Sequence, residues 1–549
     1  MRTRRLLTTT RGLIMLLALL TTAFTTMPAA AGPPSAPRSD RMLASYGGEI
    51  REAEPRADGY RHVDTPATLS KLSHLHNDTF VYLIWDAPSD WDDLRTEFLP
   101  AAQRQGLDVW VYLVPPTECS PSRCSRPFTT DYLTWAKEIA TLSTRYPALK
   151  GYAIDDFNHN LGLFTPNYVQ RMQQTSKSVN PSLRFMPQVY NGTITPQFTD
   201  AYAPVIDGLI MAYRDDPYRN TQRTDSLRAQ LDTASARLAP HGKQLYLMNY
   251  TSALSGTPMP PTPQYVRETT QVGAEYTAAG KLGGTITYIL PLDPADDWRN
   301  DNHAHTGTGR LSLFVPAGVP TPSGGYAEAA QTVTVDPDGP HRIRFQQDDT
   351  YYNGGVPTGY HLKQLLVDGQ VVWQQDAALD EAGSYKTVEV DLDPYVEGKT
   401  SATIAFRLYE AKGVTNFWVD TLIDDVEPTG LSVANGGFET RTGWTLSANS
   451  RALLPDFDIY DPQRAVRSYH EVQQVYGVYR LLFQARSASV SDDARRSLTA
   501  MADLVVRDFG GGRPEPAARR AAALGRAAKA QGLADLARLA AEVSQQLAP

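Results

Sequence analysis

Two aspartates in succession close one short apolar run, Gly151-Tyr152-Ala153-Ile154-Asp155-Asp156-Phe157. Neighbouring side chains of an extended segment point to opposite faces, so one carboxyl continues the inward row and the other uses the rim. Like charges that close raise the pKa of one member, which suits a proton donor. The plainer assignment for each is capping of the next helix or bonding to loop amides. Asp215-Asp216 forms a second acidic pair, and Pro217 directly after it favours the capping role there.

Further polar and aromatic residues close similar runs: Trp85-Asp86, Glu118, Gln188 with Tyr190, Tyr213-Arg214, Asn249-Tyr250 and Tyr288. Carboxylates interleaved with aromatic faces are what a sugar site requires. Pyranose rings stack on Trp or Tyr, hydroxyls pair with Asp, Asn, Gln and Arg, and acetal cleavage takes two carboxyl groups in distinct protonation states. Asp155, Asp156 and Asp215 are the candidate catalytic residues, with Asp155 or Asp156 as nucleophile or base and Asp215 or the other member as donor. The remaining residues of these strand ends would line the substrate.

The elements that must carry these residues alternate. Between residues 41 and 292, strand-like runs at 41–46, 79–85, 108–114, 150–155, 184–190, 208–213, 244–249 and 284–290 are separated by amphipathic stretches, several opening at Thr-Pro or Asp. Eight β-then-α units predict a closed (β/α)8 TIM barrel over residues 41–300, with chemistry at the C-terminal strand ends. A doubly wound sheet fits less well, since no Gly-x-Gly-x-x-Gly turn follows the first strand. Residues 316–325 read as a linker, 326–450 as a β-sandwich of alternating strands, and 461–549, rich in Ala, Arg and Leu, as a small helical domain.

The eight-unit pattern with acidic strand ends resembles the (β/α)8 glycoside hydrolases. Of the chitinase-type strand-four motif only Asp155 is present, with Phe157 in place of its acid Glu. The α-galactosidase-like barrels have Tyr-x-Lys-x-Asp there; Tyr152 and Asp156 match that spacing, Ile154 stands at the lysine, and Asp215 or Asp216 lies where the acid is expected. The sandwich resembles galactose-binding or jelly-roll carbohydrate-binding modules in two segments, 361–373 with a hairpin at Asp368-Gly369, and 417–426. Whether this sandwich binds sugar or only braces the barrel stays open; if it binds, Tyr351, Tyr352 and Tyr360 are the candidates to meet the sugar.

Composition narrows the partners. The 549 residues are 42% hydrophobic and 20% charged, an ordinary globular balance, and carry a formal charge of −8. A net acidic chain is a poor match for a phosphate backbone, so no nucleic acid is expected. Arg2, Arg4, Arg5 and Arg11, an apolar run from Gly12 to Leu20, and Ala29-Ala30-Ala31 have the layout of a secretory signal over residues 1–31. No later segment reaches about 18 consecutive apolar residues, so the mature protein is expected outside the cell and free of the membrane. Cys119 and Cys124, the only cysteines, read as a loop disulfide. Neither they nor His303-x-His305 offer a convincing ligand set, and no metal or cofactor is expected. The competing functions are a non-catalytic glycan-binding or cell-wall protein with an inactive barrel, and a polysaccharide lyase; the oligomeric state stays open.

Overall fold

The computed structural model describes residues 41–548 apart from 258, 352–355, 381 and 415–417. The secretory segment expected at 1–31 lies outside the described residues.

Nine strands form one parallel sheet: β1 (Met42–Tyr46), β2 (Thr79–Ile84), β3 (Asp108–Leu113), β4 (Leu149–Ile154), β5 (Arg184–Phe185), β6 (Gln188–Tyr190), β7 (Gly208–Tyr213), β8 (Gln244–Tyr250) and β9 (Gly284–Tyr288). β5 pairs with β4 and β6 with β7, so the two are halves of one strand broken at Met186-Pro187, where proline supplies no N–H. The sheet therefore closes into eight staves. Their apolar runs are buried end to end, as parallel strands covered on both faces must be.

Around the staves lie α1 (Thr65–His74), α2 (Asp90–Asp93) leading through a π-turn into α3 (Leu99–Gln105), α4 (Tyr132–Arg145), α5 (Pro166–Val179), α6 (Pro196–Tyr202), α7 (Leu227–Leu238) and α8 (Pro263–Ala278). The Thr-Pro signals act as expected. Thr165, Thr195 and Thr262 each accept the N–H three residues on, with proline in the first turn. Met42, Ala44, Val81, Tyr112, Ala153 and Tyr246 pack inside the barrel, while alternate residues such as Leu43, Phe80, Val111 and Tyr152 pack on the helices. At Gly151 a Cβ would come within 2.5 Å of the Trp110 indole. Gly151→Ala is expected to cost about 1–3 kcal/mol through overpacking, seen as a lower denaturant midpoint.

Only a single 3-10 turn, Pro294–Asp296, follows β9 directly, and no α-helix. The chain instead builds two antiparallel sheets, from β10 (Gly309–Val315), β11 (Gly325–Val335), β12 (Arg342–Tyr351), β13 (His361–Val367), β14 (Gln370–Asp376), β15 (Lys386–Asp391), a single turn α9 (Asp393–Val396), β16 (Ser401–Glu410), β17 (Val419–Thr429), β18 (Leu431–Ser432), β19 (Thr445–Ala448) and β20 (Leu454–Ile459). One sheet runs β15-β12-β17-β10-β20 and the other β14-β13-β16-β11-β18, with β19 also on β11. The hairpin expected at Asp368-Gly369 is present, both residues at positive φ as a tight β13–β14 turn demands. Segment 316–325 joins β10 to β11 within the sandwich instead of separating it from the barrel. β10, in which Arg310 and Ser312 alternate with Leu311 and Leu313, extends the sandwich ahead of the expected boundary at 326.

The C-terminal helices follow: α10 (Arg464–Ser487), α11 (Asp492–Gly510), α12 (Pro514–Ala530) and α13 (Ala534–Gln546). The first of them also completes the barrel wall. On α10, Tyr476 donates to Ala44 O of β1 at 2.7 Å, Tyr469 to Lys71 O of α1 at 3.0 Å, and Arg486 to Ala278 O of α8 at 2.8 Å. α10 thus fills the gap between α8 and α1 as the eighth outer helix. The sandwich is an insertion between the eighth stave and its helix, so it leaves from the end of the barrel where the strands terminate.

Candidate active site

Alternation along each stave decides which residue reaches the mouth. β4 turns Ala153 inward, so Asp155 continues that row; its Oδ1 accepts from Tyr112 OH at 2.8 Å and from Asp156 N at 3.0 Å. Asp156 then leaves the strand with φ +39°, a left-handed turn that brings a second carboxyl to the same rim. His159 Nδ1 meets its Oδ2 at 3.1 Å, Gln188 Oε1 accepts its N–H at 2.9 Å, and its Oδ1 is buried without a hydrogen-bond partner. Glu118 arrives in the single turn after β3, and no protein group among the described residues bonds its carboxyl.

These three carboxyls divide in protonation. Burial, then the Asp156 charge, pushes Glu118 up to about 7. Burial, then Glu118 and Asp156, pushes Asp155 well above the usual carboxylate range. Burial also acts to raise Asp156, but the His159 contact, the Tyr190 hydroxyl and the Arg214 charge outweigh it and hold Asp156 below its ordinary value. One carboxylate held low therefore stands beside two held high.

Aromatic rings floor the mouth. Tyr46 lies 4.3 Å from Tyr112 and 5.3 Å from Tyr288, and Tyr250 lies 4.6 Å from Tyr288, all between ring centroids. Arg214 stacks 3.3 Å above the Tyr190 ring and donates to Asp216 Oδ1 at 2.9 Å. Trp85 faces the Arg123 guanidinium at 4.7 Å, and the exposed Asp86 lies 3.6 Å from Arg123. Cys119 and Cys124, beside Glu118, form a disulfide.

Three expected site residues turn the other way. Tyr213 is on the outer face of β7, its hydroxyl on Arg223 O at 2.9 Å. Asn249 points from β8 to α8, bonding Thr270 Oγ1 at 2.9 Å. Asp215 is wholly buried and its carboxylate is consumed by Asn220, Ser226 and Arg451, which leaves nothing to donate to a substrate. Each is one residue out of phase with the inward row. Sequence reasoning passed over Tyr46, Tyr112 and Glu49; the last, after Gly47-Gly48, accepts Leu83 N at 2.9 Å and is pushed by burial to about 7. On the sandwich, Lys412 sits 4.8 Å over the Tyr360 ring, Tyr352 lies outside the described residues, and the Tyr351 side chain is likewise not described. His305, weighed as a metal ligand, bonds Asp425 at 2.5 Å, and no metal-binding cluster occurs among the described residues.

A cavity of about 550 Å³ at the opposite end of the barrel, lined by Met42, Asp108, Trp110, Lys150, Arg184 and Tyr246, lies at the strand starts and away from these carboxyls.

Neither a protein-family model nor a curated protein matches the chain in sequence. Solved structures resemble it in architecture. A glucosidase from Croceicoccus marinus is 12% identical, with 67% of this chain and 95% of that one covered and a TM-score of 0.34. A calcium-binding mutant of Bacteroides uniformis β-glucuronidase 2 is 7% identical, with 69% and 64% covered and a TM-score of 0.36, so this chain spans just under two thirds of that enzyme. An endoglucanase from Pseudomonas stutzeri is 12% identical, with 45% and 84% covered and a TM-score of 0.33.

Proposed function

We propose that the protein is an exported glycoside hydrolase that cleaves a poly- or oligosaccharide with paired carboxyl groups. The observation that carries this is the gathering of three carboxyls, Glu118, Asp155 and Asp156, at an aromatic-floored barrel mouth, with burial and mutual repulsion raising two of them and the third held low. A carboxyl raised to about 7 is poised to protonate a leaving oxygen, and a neighbour held low to attack the anomeric carbon or activate water. Asp156 takes the second role, its carboxylate held low by His159, Tyr190 and Arg214. Glu118, with no protein partner for its proton, is the donor. Asp155 stays protonated and supports Asp156 through the backbone amide it accepts. The N-terminal basic, apolar and small-residue pattern supports export.

The pH dependence follows from the two directions. Glu118 works while protonated, so kcat/KM is expected to fall as pH rises through about 7. Asp156 works while ionised, so the acidic limb lies below the ordinary aspartate value. On an aryl glycoside whose leaving group needs no proton, Glu118→Gln is expected to keep most of its activity and lose the alkaline limb. An alkaline limb that persists in that variant rejects Glu118 as donor. A purified protein inactive across a broad glycan panel rejects the hydrolase.

A further inference from the structure

The loop between β7 and α7 delivers Arg214 and Asp216 to the site, and the sandwich grips that loop at two points. Arg451, between β19 and β20, donates from Nη2 to both Asp215 oxygens at 3.0 and 3.1 Å and also pairs with Asp225. Asp215 is fully buried, and Asn220 Nδ2 and Ser226 Oγ bond the same carboxylate at 2.8 and 2.5 Å. Separately, Arg219 Nη1 donates to Ala317 O at 3.2 Å, and Gly318 lies so close that a Cβ there would meet Nη1 at 2.5 Å. Asp215 and Arg219 have φ of +49° and +53°, conformations that non-glycine residues hold when their surroundings fix them. The loop closes on the site side through Asn220 N to Arg214 O at 2.9 Å and Gln230 Nε2 to Asp216 O at 2.9 Å.

We propose that Arg451 is a positioning residue: from the sandwich, through Asp215, it holds the loop so that Arg214 lies over Tyr190 beside the Asp156 carboxylate. The kinetic part of this rests on the hydrolase reading; the geometric part does not. Without Arg451 the loop loses its hydrogen-bonded tie to the sandwich and opens toward water, and in the single variant the buried, unpaired Asp215 charge adds to that. A displacement near 1 Å at a reacting group costs up to about 100-fold in rate.

The test uses the full chain as Arg451→Met, Arg451→Lys and the double variant Asp215→Asn/Arg451→Met, in which no buried charge is orphaned. Hydrogen exchange at arginine Nε–H is followed by ¹⁵N NMR, with the Arg214 signal assigned from Arg214→Lys and Arg407, paired with Glu328 inside the sandwich, as the control. In Arg451→Met and in the double variant, exchange at Arg214 is expected to accelerate about tenfold or more while Arg407 is unchanged, and kcat to fall about tenfold with KM altered less than about threefold. Arg451→Lys restores most of both. Unchanged Arg214 exchange in a folded variant overturns the proposal, as does accelerated exchange with undiminished kcat, or equal loss at Arg407, which would mean that the whole sandwich had loosened. Accelerated exchange at Arg214 alone in a protein whose wild type hydrolyses no glycan keeps the tether and rejects the hydrolase reading.

Discussion

Asp156→Asn is expected to lower kcat by about 10³- to 10⁴-fold with the fold retained, the upper range for loss of one acid, base or nucleophile. Asparagine preserves the volume and the contact to His159 but removes the one carboxyl that the surroundings keep ionised. The informative comparison is Asp155→Asn. Burial and its acidic neighbours push Asp155 well above the usual carboxylate range, and an amide resembles a neutral carboxyl in shape while still accepting from Tyr112 and from Asp156 N. That variant is therefore expected to lose about tenfold or less. Initial rates on one substrate, with circular dichroism to confirm folding, separate the two aspartates. A dead Asp155→Asn beside an active Asp156→Asn would exchange their roles.

The second large effect concerns the barrel wall. A chain ending at residue 463 lacks α10 and is expected to give no cooperative thermal transition and to bind the dye ANS. Val472, Val475, Tyr476, Val478, Leu481 and Leu482 are each 2% exposed or less, and a buried apolar side chain of this size contributes about 1.5–3 kcal/mol. Six of them exceed about 9 kcal/mol, which rivals the net stability of a typical domain at about 5–15 kcal/mol. A soluble, cooperatively melting 41–463 fragment would show that the eight staves close without their last helix. Supplying residues 464–549 as a separate chain is expected to restore the transition.

Much of the site was legible from alternation alone. Stepping by two from Ala44, Leu83, Ala153, Ala212, Met248 and Ile286 reaches Tyr46, Trp85, Asp155, Arg214, Tyr250 and Tyr288 at the mouth. The same step passes over Tyr213, Asp215 and Asn249, so these three fell to a criterion available without coordinates. Asp156 breaks the rule because its left-handed backbone re-aims it, and no periodicity reveals that. Glu118 was chosen as a lining residue, since its elevated pKa depends on desolvation by neighbours that only the closed fold assembles. The Asp215–Arg451 pair joins residues 236 apart and was invisible for the same reason. Alternating strands revealed the sandwich from β11 onward but missed β10 and β20 at its ends, and the helical periodicity of α10 gave no hint that it belongs to the barrel.

The displaced eighth helix sets an order of events during synthesis. A ribosome delivers the eight staves long before α10, which is complete only at residue 487. Until then the nascent barrel presents an open seam between α8 and α1, and the inserted sandwich, whose strand pairs are contained within Gly309–Ile459, has everything needed to form first. The barrel thus becomes whole only after the sandwich, although nearly all of it is translated first.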